Sequence, residues 1–143
     1  MARDETLFAR AIFGAAAATS VIAAAGIALA SFRPMEFFGL LGPSFIFYTI
    51  YGWTLGLAGH ARLMQRVRVG VRAYWIGGGV SLLLISFVFG FLYACGFTGS
   101  WSTGLQTGLG LSLIGALGGA LMGWFFWLIR RPDRDANPPT TAT

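Results

Sequence analysis

Four stretches of this chain run for about 20 residues or more almost without Lys, Arg, Asp or Glu, and that length matches a hydrocarbon core of about 30 Å. They cover 11–31, 37–63, 74–96 and 102–129, and Arg62, near the end of the second, is the one such charge inside them. Only 10% of residues are charged, against about 25% in soluble domains, so an ordinary soluble fold is excluded. The expected fold is an all-α integral membrane protein, a four-helix bundle of transmembrane helices joined by short loops. Residues 1–131 form a single membrane domain in this reading, and the Pro-rich polar tail 132–143 is expected to be disordered in the cytoplasm.

The first stretch carries an Ala28-Leu29-Ala30 triplet of the kind that signal peptidase cleaves. Its apolar run exceeds the about 7–15 residues of a signal-peptide core, and Asp4 and Glu5 precede it, so it reads as a retained membrane helix. Pro43 leaves two starts open for the second helix. It begins at Phe37, or at Pro43 with 34–42 as an interfacial turn, since proline suits a first helical turn. Gly70 is the expected break before the third.

The charges set orientation. All ten basic residues are arginine. Arg3 and Arg10 precede the first helix, Arg62, Arg66, Arg68 and Arg72 lie between the second and third, and Arg130, Arg131 and Arg134 follow the fourth. Arg33 stands alone on the opposite side, and the positive-inside rule then places both termini in the cytoplasm. The net charge of +5 reflects this topology and contact with anionic lipid headgroups, Arg62, Arg66, Arg68 and Arg72 being the expected contacts. Arginine without lysine points to a GC-rich bacterial genome and so to a bacterial inner (cytoplasmic) membrane. No folded basic domain exists to bind nucleic acid. Cys95 is the only cysteine, which excludes an intrachain disulfide.

Shifting the chain by 62 residues lays Arg10-Ala11 on Arg72-Ala73, Thr19 on Ser81, Gly42 on Gly104 and Gly56 on Gly118. Such a match would make two hairpins of like orientation, as in some transporters.

On a helical wheel Gly104, Gly108, Ser112, Gly115, Gly119 and Gly123 fall on one stripe of the fourth helix. In lipid, small residues drive helix association by close backbone approach, so the stripe reads as a packing seam. The expected matching surface lies on the second helix, where Phe45, Tyr48, Thr49, Gly52, Gly56, Gly59 and Leu63 share a face. The alanine-rich first helix is expected inside the bundle, and the third, with Leu82, Leu83, Leu84, Phe87 and Phe89, is expected to face lipid.

No Asp, Glu, Lys or Arg occupies the middle of a span, which argues against proton coupling and voltage sensing. His60, the only histidine, reads as an interfacial residue beside Arg62, because haem would want a second axial ligand and zinc several more ligands. No catalytic residue, metal or cofactor is expected. Arg33 and Glu36, three residues apart, are expected to form an exposed pair. Tyr48 and Gln106 are the candidate donors of an intramembrane polar site. The expected function is non-enzymatic: an accessory or assembly subunit that docks to other membrane proteins through its glycine seams. The alternative is a small homo-oligomeric channel or transporter for a neutral or lipidic solute, and third stands an enzyme acting on lipids through the arginines.

Overall fold

A computed structural model describes residues 2–65 and 70–132, with the side chains of 2–5 and 36 outside that description. Arg66, Arg68, the partner side of the Arg33–Glu36 pair and the tail from residue 133 therefore lie outside the described residues. The described chain is almost entirely helical and contains no strand. Helix α1 spans Ala2–Ser31, α2 Met35–Tyr51, α3 Leu57–Gln65, α4 Val71–Thr98 and α5 Trp101–Arg130. A π-helical turn, Gly52–Gly56, joins α2 to α3 without a break in helical dihedrals, so residues 35–65 form one continuous rod. Thr6–Ser31, Val71–Thr98 and Trp101–Arg130 are each long and apolar enough to cross a membrane.

The helix ends follow from local chemistry. Phe32, at φ +55°, and Pro34 turn the chain between α1 and α2. Gly70 is extended and starts α4. At the other end of α4, Gly99 adopts φ +64°, a left-handed conformation that glycine takes without a Cβ penalty, and its N–H reaches the Cys95 carbonyl at 2.9 Å. Ser100 then caps α5, its Oγ accepting from the Thr103 N–H at 3.4 Å.

Pro43 does not begin the second rod. It sits inside α2, whose first turn is closed by the Phe37 N–H on the Pro34 carbonyl at 3.2 Å. An irregular 34–42 would leave several backbone groups unbonded in an apolar environment, whereas an interior proline forfeits one hydrogen bond.

The rods pack in the order second, first, fourth, third. The first rod, α1, contacts α2 and α5, and α5 makes its most extensive pairing with α4. The core lies where they meet: Ala11, Ile12, Ala15 and Ala16 of α1, Tyr48 and Tyr51 of α2, Tyr74 and Leu82 of α4, Met122 and Phe126 of α5. Alanine makes α1 a thin rod that neighbours can approach closely. Helix α4 is the most exposed of the three long apolar helices, yet its inner face is committed to α5. The two hairpins are unlike in packing. Gly118 is pressed on the Tyr48 side chain, while its counterpart at a 62-residue offset, Gly56, meets only the Tyr51 carbonyl oxygen at 3.6 Å.

Candidate functional site

The glycine stripe of α5 is occupied, and its occupant is α4. A methyl group at Gly119 would overlap the Gly78 carbonyl oxygen, one at Gly123 the Tyr74 carbonyl, one at Gly115 the Ser86 hydroxyl, and one at Gly104 the Cys95 sulfur. At Gly108 it would lie 3.0 Å from the Phe87 carbonyl oxygen. Ser112 is buried in the same stripe and donates to the Leu109 carbonyl at 2.8 Å. The answering glycines are Gly78, Gly79 and Gly90 of α4, set within a leucine- and phenylalanine-rich helix.

The second rod is therefore not the surface that meets this seam. Gly52 packs tightly, where a methyl would lie 2.8 Å from Ile12 Cγ2 and 2.9 Å from Met122 Cε. Gly59, by contrast, has nothing within 4 Å of its Cβ direction. The cause is the π turn between them. Its i→i+5 bonding takes up one residue more per turn than an α-helix and rotates everything beyond it by about 100°. A stripe drawn on a regular wheel is broken at residue 52.

The rotation leaves a cavity of about 410 Å³ between the second rod and α4. Gly52, Leu55, Gly56, Gly59, His60, Arg62 and Leu63 line one wall. Tyr74, Gly77, Gly78 and Ser81 line the other, with Met122, Gly123 and Phe126 of α5 behind. Leu55, Ala58, Arg62 and Gly77 are exposed, so the cavity opens sideways between two rods. Glycine makes the room: Gly59 and Gly77 both face open space, and α3 touches α4 only sparsely.

Two hydrogen-bonded pairs hold the walls together at different depths. Deep in the cavity the Tyr51 hydroxyl lies 2.5 Å from Ser81 Oγ and 3.3 Å from the Gly78 carbonyl oxygen. Ser81 also donates to the Gly77 carbonyl at 2.8 Å, so this pair is satisfied within the protein. Nearer the arginine-bearing end, His60 Nδ1 lies 2.5 Å from the Tyr74 hydroxyl. The His60 ring is half-buried among Phe8 of α1 at 5.5 Å, Phe126 of α5 at 5.4 Å and Tyr74 of α4 at 5.8 Å. The structure draws this histidine inward, where all four rods converge, and not toward the surface beside Arg62.

Other expected site residues are scattered. Tyr48 is buried against Gly118, but Gln106 is exposed, a further 12 residues along α5, or about 18 Å. The two do not form a common site. Arg62 is exposed at the cavity mouth, and Arg72 is exposed on α4 in a shallow groove of about 240 Å³ with Val71, Trp75 and Trp124.

The cavity, the Tyr51–Ser81 and His60–Tyr74 pairs and the Gly78–Gly79 contact escape a reading of the sequence. They join residues far apart in the chain, which no local periodicity links. The one signal was the density of glycine in both facing rods. No known protein family, curated protein or solved structure matches the chain.

Proposed function

We propose that this chain is a four-span inner-membrane protein of bacterial type, both termini cytoplasmic, that binds a lipidic or neutral solute in the lateral cavity between its second and third rods. It works without catalysing a reaction, as a carrier or holder of that solute. The observation that carries this reading is the cavity itself, walled by glycines, lined mostly by apolar side chains and open sideways between two rods. Ligand pockets are mostly apolar clefts of about 300–1,000 Å³ with a few placed polar groups, and about 410 Å³ falls in that range. The π turn on its wall supports the same site, because π turns recur at functional positions. The asymmetry of the arginines supports the orientation, with the His60 end cytoplasmic.

A second reading, an accessory subunit docked to a larger membrane protein, cannot use the α5 stripe, which the chain's own α4 covers. It would use other glycines, such as Gly26 of α1 or Gly39 and Gly42 of α2, whose Cβ directions each meet nothing within 4 Å. Native mass spectrometry of the tagged protein, expressed at native level and extracted in mild detergent, separates the two. A retained small apolar molecule supports the cavity reading. A stoichiometric larger protein without any retained small molecule sinks it.

A further inference from the structure

Resting on the cavity reading, we infer that the ligand is a single-chain carboxylate amphiphile, held with its carboxylate at Arg62 and its chain directed inward toward Met122. Three observations converge on that orientation. First, the polar groups at the deep end are already bonded. Tyr51 and Ser81 are paired with each other, and Ser81 also bonds the Gly77 carbonyl, so a ligand headgroup finds no open donor there. Second, the mouth carries a cation. Arg62 lines the opening and is exposed. Third, the space between is narrow and apolar, bounded by Leu55, Leu63, Met122 and Phe126.

These features select among amphiphiles. A cavity of about 410 Å³ stands at the lower end of the range for small-molecule sites, which suits one chain. Gly52 and Arg62 are ten residues apart on one rod, about 15 Å, so a medium-length chain reaches from mouth to floor. The planar fork of the Arg62 guanidinium binds a carboxylate through two parallel N–H···O bonds. A neutral alcohol of the same length would make the apolar contacts and forgo the ion pair.

The test uses the purified full-length protein in nanodiscs of zwitterionic lipid, with binding measured against empty nanodiscs. The probes are dodecanoate, dodecanol and monododecyl phosphate. Dodecanoate is expected to bind at least about ten-fold more tightly than dodecanol, the factor that about 1.4 kcal/mol provides. Arg62→Gln should erase that margin and leave dodecanol binding unchanged. Gly59→Leu, whose side chain would enter the cavity without a clash at its Cβ, should abolish binding of all three, while Gly110→Leu, on an exposed face of α5, should abolish none. A thermal melt confirms that each variant is folded. Equal binding of dodecanol, tighter binding of the phosphate, or an intact margin in Arg62→Gln overturns the carboxylate assignment and leaves the cavity standing. Undiminished binding in folded Gly59→Leu overturns the cavity itself.

Discussion

Replacing Gly119 by alanine should separate α4 from α5. The added Cβ would overlap the Gly78 carbonyl oxygen and sit 2.8 Å from the Leu82 Cβ. Carbon atoms rest best at about 3.5–4.0 Å, so α4 must retreat by about 1 Å. Neither obstacle can rotate away, one being backbone and the other a Cβ. A gap of about 0.5–1 Å forfeits a quarter to a half of each dispersion contact, and the retreat is shared along the seam from Gly108 to Gly123. Overpacking of this kind costs about 1–3 kcal/mol, and the backbone clash places Gly119→Ala near about 2 kcal/mol.

Gly110→Ala is the matched control. It lies on the same helix with nothing within 4 Å, and there alanine gains up to about 1 kcal/mol of helix propensity. The two variants should therefore differ by about 2–3 kcal/mol in reversible unfolding from mixed micelles. Cys95 offers a second readout, because its sulfur lies in the seam beside Gly104. A loss of about 2 kcal/mol raises the open fraction about 30-fold, and maleimide labelling of Cys95 should accelerate accordingly. Identical stability and labelling in the two variants would refute the close approach of α4 and α5.

Three further outcomes follow from burial. Thr19 is fully buried with no hydrogen-bond partner for its hydroxyl, so Thr19→Val should raise stability by about 1 kcal/mol in the same unfolding assay, and a loss would show that the hydroxyl is bonded after all. Ala16 of α1 is fully buried, and Ala16→Leu should destabilise by about 1–3 kcal/mol while Leu29→Ala, at an exposed position, stays within about 0.5 kcal/mol. A double-mutant cycle of Tyr51→Phe and Ser81→Ala should return a coupling of about 0.6 kcal/mol, the average for hydrogen bonds between membrane helices. A coupling of zero would mean that this pair does not close the deep end of the cavity.

How much could be read without coordinates depended on whether the information was local. The helical class and the long apolar helices were legible because each apolar run reports on itself, and the small-residue face of α5 was legible because an uninterrupted α-helix keeps its phase for many turns. The partner of that face was not. Gly78 and Gly79 sit in a helix whose leucines and phenylalanines dominate its composition, and the sequence alone does not say which rods are neighbours. The face of the second rod failed for a different reason. Tyr48 and Gly52 kept their phase, but the π turn that begins at Gly52 shifted Gly59 from the seam to the cavity wall. His60 was placed from its position at a helix end, whereas its surroundings are set by Phe8, Tyr74 and Phe126 from three other helices.

The π turn also has a genetic consequence. In most transmembrane segments the loss of one codon turns half the helix to the wrong face and ruins the fold. Here the same loss between Gly52 and Gly56 would remove the one residue that the wide turn takes up and restore regular winding, leaving Gly59 and His60 on the faces they hold now. Such a chain would keep the space between its second and third rods. Regular winding of the full sequence, with no codon lost, is what would swing Gly59 onto the face shared by Tyr48 and Gly52 and close that space.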